Sequence, residues 1–254
     1  MSGLILNATI CAAIMLSALA FALTLYRNKK ECKDQSTPSM MALIVFWVLI
    51  TLSFLFVCVR VIAVFYGYFE VDRMCYYIAS IPFALLPAPL VFFIVYVITG
   101  DRTASWAMSL LFFVFGIVYL SFLYRSGVVG PEVTYWATIF SIDSDIAITV
   151  YLSGLFIVPT AMIIALLGLT LVRKISKRRR YYIALMLVAI SMVFDFILVD
   201  AIAILDVMQV AARIFILIGV VLTFLAYYPP DILQDRLRIR KIEDIDPDTE
   251  EIDE

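Results

Sequence analysis

Apolar residues run along this chain in seven blocks separated by short polar connections, at residues 4–26, 39–66, 74–99, 104–124, 145–172, 181–204 and 207–228. Each block is at or above the length of about 20 residues that a helix needs to cross roughly 30 Å of hydrocarbon. The pattern therefore predicts an all-α polytopic membrane protein, a seven-transmembrane helix bundle over residues 1–229. A cytoplasmic amphipathic segment with an acidic tail is expected over residues 230–254. No Gly-rich linker or low-complexity tract interrupts the bundle.

Composition strengthens the reading, since 64% of the 254 residues are hydrophobic and 16% charged, where globular domains carry about 45–50% and about 25%. The formal net charge of −2 comes from an acidic tail set against basic loops, and gives nucleic acid nothing to bind. The first block begins within a few residues of Met1, with no basic segment before it and no A-x-A site after it. It reads as a retained span, without a cleaved signal peptide. The four cysteines (Cys11, Cys32, Cys58, Cys75) show neither disulfide-framework nor metal-ligand spacing. Histidine is absent, which removes His-ligated haem, His-containing zinc sites and imidazole catalysis. The sequence implies no cofactor.

Lys and Arg set the orientation. The first, third and fifth connections and the tail hold Arg27, Lys29, Lys30, Lys33, Arg102, the run from Arg173 to Arg180, Arg236, Arg238, Arg240 and Lys241, whereas the opposite loops hold Arg73 and Arg125. The N-terminus is expected outside and the C-terminus in the cytoplasm. The fifth connection, RKISKRRR with Arg178, Arg179 and Arg180, serves to orient the bundle or to dock a cytoplasmic partner or anionic lipid, at about 1 kcal/mol per basic residue near the surface. Beyond Pro229 and Pro230, a short stripe of Ile232, Leu233, Leu237 and Ile242 flanked by Arg236 and Arg238 reads as an amphipathic helix on the inner surface.

Three irregularities stand out. Block three carries Pro82, Pro87 and Pro89 and block five carries Pro159 after Gly154, so both helices are expected to kink. The connection from 125 to 144, RSGVVGPEVTYWATIFSIDS, is too aromatic for a bare loop. It suits an interfacial anchor, or a short hairpin lying as a lid over the bundle mouth. Asn7-Ala8-Thr9 matches a glycosylation sequon, but its place inside an apolar block predicts no occupancy.

Charges inside the blocks are costly, about 2.5–3.5 kcal/mol each near the bilayer centre on insertion scales. The stretch 191–215 holds Asp195, Asp200 and Arg213, and block two holds Arg60. If Asp206 caps span seven, counting from the outer turns puts Asp195 and Arg213 about nine residues below one turn and Arg60 about nine below another. Asp195 and Arg213 are then level and expected to pair, with Asp200 nearer the surface on another face. The level is either structural or the floor of an outward cavity for an anionic or zwitterionic small molecule. In the second case Arg60, Asp195, Asp200 and Arg213 would line it, with Tyr76, Tyr77 and Trp136 above.

Catalysis finds no motif. The Gly-x-Gly-Asp segment of intramembrane aspartyl proteases is missing, and span seven has no lysine for a retinal Schiff base. Seven spans with the N-terminus outside, the aromatic stretch GVVGPEVTYW before span five, and the exit YYPP followed by an Arg-containing segment resemble the seven-helix membrane input region of prokaryotic, especially archaeal, sensor histidine kinases. The resemblance implies signal reception by the bundle and output through the segment after Pro230. No kinase domain follows, so a separate cytoplasmic signalling protein is implied. The expected function is a receptor-like sensor in the cell membrane, the alternative a small transporter or accessory subunit of a membrane complex. No oligomeric state is predicted.

Overall fold

The computed structural model describes residues 2–31, 37–172, 177–202 and 205–228. Its helices are α1 (Ser2–Glu31), α2 (Thr37–Phe65), α3 (Phe69–Leu85), α4 (Pro87–Thr99), α5 (Arg102–Ser126), α6 (Asp145–Val150), α7 (Val158–Val172), α8 (Lys177–Ile202) and α9 (Asp206–Tyr227). Among the described residues seven helical units are long and apolar enough to cross a membrane. Span three is α3 with α4. Span five is α6, a π-helical turn at Tyr151–Ile157, and α7. Large apolar side chains such as Leu16, Leu110, Ile164 and Val172 stand exposed on the outer faces, as a bilayer and not water would accept. The chain is a helical multi-pass membrane protein.

Each irregularity has a local cause. Pro87 and Pro89 bring no N–H, so span three breaks at Leu86, whose own N–H still reaches the Pro82 carbonyl at 3.1 Å. Pro87 then takes the first turn of α4, where a missing donor costs nothing. In span five the helix widens into the π turn immediately before Pro159, a common site for such a discontinuity. Both predicted distortions are present. Asp101 caps α5 by accepting from Thr103 N at 2.8 Å, and Ser144 caps α6 by accepting from Ala147 N at 3.2 Å. Leu205, not Asp206, is the N-cap of α9; Asp206 sits in the first turn, where its carboxylate suits the positive helix end.

The spans close into a ring, with span one seated between spans two and seven. Span three lies deepest, 67% of its apolar window being buried, and span four is peripheral at 28%. The centre is aromatic: Phe21 meets Trp47 edge-on at 5.0 Å, and Phe156 stacks on Phe194 at 4.7 Å. Gly219 and Gly116 sit where neighbouring helices approach closely. A Cβ on Gly219 would stand 2.7 Å from Val193 Cγ2, and one on Gly116 would stand 2.6 Å from the Ala84 carbonyl oxygen.

The connection from 125 to 144 folds as the hairpin, strand β1 (Val128–Val133) pairing antiparallel with β2 (Thr138–Ile142). A bulge falls between Val129 and Glu132, and Gly130 there has φ of 128° with Ile139 O only 2.9 Å from where a Cβ would be. The β2 residues Thr138, Ile139 and Phe140 are buried against the bundle. Bonds from the helices hold the hairpin down, among them Arg73 Nη2 donating to Gly130 O at 2.9 Å and Asn7 Nδ2 donating to Trp136 O at 2.8 Å.

Candidate ligand cavity

Beneath the hairpin lies a cavity of about 60 Å³, room for about four waters at roughly 15 Å³ each. Its walls include Arg60 from α2, Tyr76 from α3, Thr138 and Phe140 from β2, Tyr151 from the π turn, Asp200 from α8 and Arg213 from α9. Six separate elements thus converge on one small polar space.

Two buried ion pairs border it. Arg213 Nε donates to Asp200 Oδ1 at 2.8 Å, and Arg213 Nη1 donates to Asn7 Oδ1 at 2.7 Å. Arg60 Nε donates to Asp72 Oδ1 at 2.8 Å, and its Nη2 reaches the carbonyl and hydroxyl oxygens of Thr138 at 3.4 and 3.3 Å. The Arg60 guanidinium also sits over two rings, 4.9 Å from the centre of Tyr76 and 5.0 Å from that of Phe140. Aromatic faces replace part of the hydration that burial removes from the cation. All four charged residues are less than a tenth exposed. Hydrophobic replacement of such pairs is often neutral or stabilising, so stability alone is a weak reason for their presence. The bonds described use Nε and one terminal nitrogen of each arginine, and both side chains line the cavity. Asp72 Oδ2 accepts no hydrogen bond among the described residues.

Of the residues expected to form the site, Arg60, Tyr76, Asp200 and Arg213 line the cavity and Asp195, Tyr77 and Trp136 do not. The expected Asp195–Arg213 pair is replaced by Asp200–Arg213. The reason is side-chain direction. Cα–Cβ bonds tilt toward the helix N-terminus, so on antiparallel α8 and α9 the Asp200 and Arg213 side chains lean toward each other and close an offset of about five residues, roughly 7 Å. Asp195 instead accepts from Thr160 Oγ1 at 2.7 Å and Ser191 Oγ at 2.8 Å, beside the π turn and Pro159. Tyr77 stacks on Tyr124, their centroids 5.2 Å apart, and Trp136 packs against Tyr135 at the hairpin tip. Arg236 and Arg238, and the side chains of Arg178, Arg179 and Arg180, lie outside the described residues.

Asp72 and Asn7 were missed, though both left a trace. The third apolar block starts at residue 74 because Glu70, Asp72 and Arg73 lower the local hydropathy, whereas α3 begins at Phe69 and takes Asp72 inside. Asn7 is an amide in an apolar block, and it is fully buried. That burial also excludes the sequon from use. Tyr119 and Tyr151, rings 4.7 Å apart, gave no signal among so many aromatics.

No protein-family model matches this chain, and comparison with curated proteins returns no match. Fold and site together define a class, a seven-span membrane protein with a small charged cavity capped by a β-hairpin.

Proposed function

We propose that the protein is a receptor-like sensor in the cell membrane, with the hairpin and N-terminus outside and the C-terminus in the cytoplasm, as the Lys/Arg distribution favours. The observation that carries the reading is the convergence of Arg60, Asp200 and Arg213 on one cavity under the hairpin. The ligand is a small anion or zwitterion of a few heavy atoms, a limit set by the cavity volume. The Arg60 and Arg213 guanidiniums, both lining the cavity, would hold its oxygens. Tyr151 gives the site a route to the rest of the bundle, since it is both a cavity wall and the first residue of the π turn. A ligand that favours one packing of span five would shift its far end toward the cytoplasm, where a separate signalling protein reads it. The ligand must bind the two packings with different affinity.

The test is a thermal-unfolding screen of the purified protein against acetate, nitrate, bicarbonate, phosphate and glycine, repeated on Arg213→Lys. Saturable stabilisation by one of them, lost in Arg213→Lys and without flux into proteoliposomes, is expected. Flux of the stabilising solute would replace the sensor with a transporter, and no stabilisation by any of the five would defeat the small-anion reading. The transporter alternative draws support from Asp195, a carboxyl with no basic partner among the described residues, placed beside a discontinuous span.

A further inference from the structure

A second, larger depression lies at the opposite end of the bundle from the hairpin. It is a groove of about 660 Å³ between α2, α4 and α5, roughly ten times the volume of the charged cavity and almost wholly apolar. Met41, Val45 and Leu49 of α2 form one wall at helical spacing, and Trp106 of α5 forms the other, edge-on to Phe92 of α4 at 5.2 Å. The groove runs past the break of span three at Leu86. Ala88 and Pro89 follow the break and leave a shallow floor where larger side chains would fill the space.

From Pro38 to Leu49 the α2 wall is about 16 Å long at 1.5 Å per residue, which is close to half of the roughly 30 Å hydrocarbon thickness. One leaflet's acyl chain has that reach. At the end where the chain would meet water stands Arg102, exposed, in the first turn of α5 and four residues before Trp106. Arg102 makes no ion pair among the described residues; the neighbouring Asp101 carboxylate is occupied in capping Thr103 N. An apolar slot one leaflet long, with an uncommitted guanidinium at its polar end and an indole at interfacial depth, has the chemistry of one kind of occupant. We propose that this groove is a binding site for an anionic glycerophospholipid, its acyl chain lying against Trp106 and Phe92 and its phosphate held by Arg102.

Trp106 supplies the readout. The protein would be reconstituted in zwitterionic vesicles containing, at one low mole fraction, a phospholipid brominated on its acyl chains and bearing either a phosphatidylglycerol or a phosphatidylcholine headgroup. Quenching of Trp106 is the wild-type signal minus that of Trp106→Phe. The anionic lipid is expected to occupy the groove about fivefold more favourably than the zwitterionic one, from a single basic residue at the surface. Arg102→Gln should abolish the preference while leaving zwitterionic quenching unchanged, and Arg102→Lys should keep most of it. Equal quenching by the two headgroups would overturn the proposal, as would protection of Trp106 from both, which would mean that protein, such as a second copy of the chain, covers the groove.

Discussion

Replacing Asp200 by Asn tests the pairing at the heart of the cavity. Asp200 and Arg213 are 7% and 3% exposed and joined by a 2.8 Å bond, so the variant leaves a buried guanidinium with neutral amide acceptors, the Asn7 oxygen among them, and no carboxylate. Removing one member of a buried pair costs about 3–5 kcal/mol because the remaining charge is uncompensated. Arg213→Gln should cost a similar amount. The double variant should cost less than the two single losses combined by about 2–3 kcal/mol, a coupling in the upper part of the range for residues in direct contact. Asp195→Asn should lose about 1 kcal/mol, since an amide can still accept from Thr160 or Ser191, and should show no coupling to Arg213. Unfolding in detergent, followed by circular dichroism across the full cycle, measures all of these. A larger coupling for Asp195 with Arg213 than for Asp200 with Arg213 would refute the geometric argument. Single variants at Asp200 or Arg213 as stable as wild type would show that the pair is retained for binding.

Further outcomes follow from contacts elsewhere. Gly116→Ala, whose Cβ would meet the Ala84 carbonyl oxygen at 2.6 Å, should destabilise by about 1–3 kcal/mol, whereas Gly154→Ala, whose nearest neighbour is Phe115 at 3.5 Å, should be tolerated; thermal unfolding distinguishes the two. Asn7→Ala removes bonds to both Trp136 O and Arg213, and should cost about 1–3 kcal/mol and hasten proteolysis at the hairpin tip. Expressed in a glycosylating host, the wild-type protein should show no added mass at Asn7, which is fully buried.

The spans were legible because length and hydropathy are properties of each segment alone. The breaks at Pro87 and Pro159 were legible for the same reason, a missing donor being local. Charge partners were not, because pairing depends on where side-chain tips meet across helices. Counting residues from the turn ignored the opposite lean of the Asp200 and Arg213 side chains, and so favoured Asp195. Asp72 escaped because Glu70, Asp72 and Arg73 together read as loop, although the two carboxylates in the first turn of α3 suit a helix N-terminus. The hairpin was one of two readings of an aromatic connection, and what selected it was the packing of Thr138 and Phe140 over Arg60, which hydropathy does not encode.

Asn7 has a bearing on how the molecule is made. Its amide joins residue 7 to residue 136 through one atom and to residue 213 through another. A chain emerging from the ribosome inserts its first span long before the arginine that completes this junction exists. Until then, α1 lacks the neighbour on which its second flank rests, and Asp200 reaches the membrane ahead of its cation. Assembly of the bundle is therefore gated by the arrival of the last span. Products truncated before α9 should insert and yet remain open to quality-control proteases, however many hydrophobic segments they already possess.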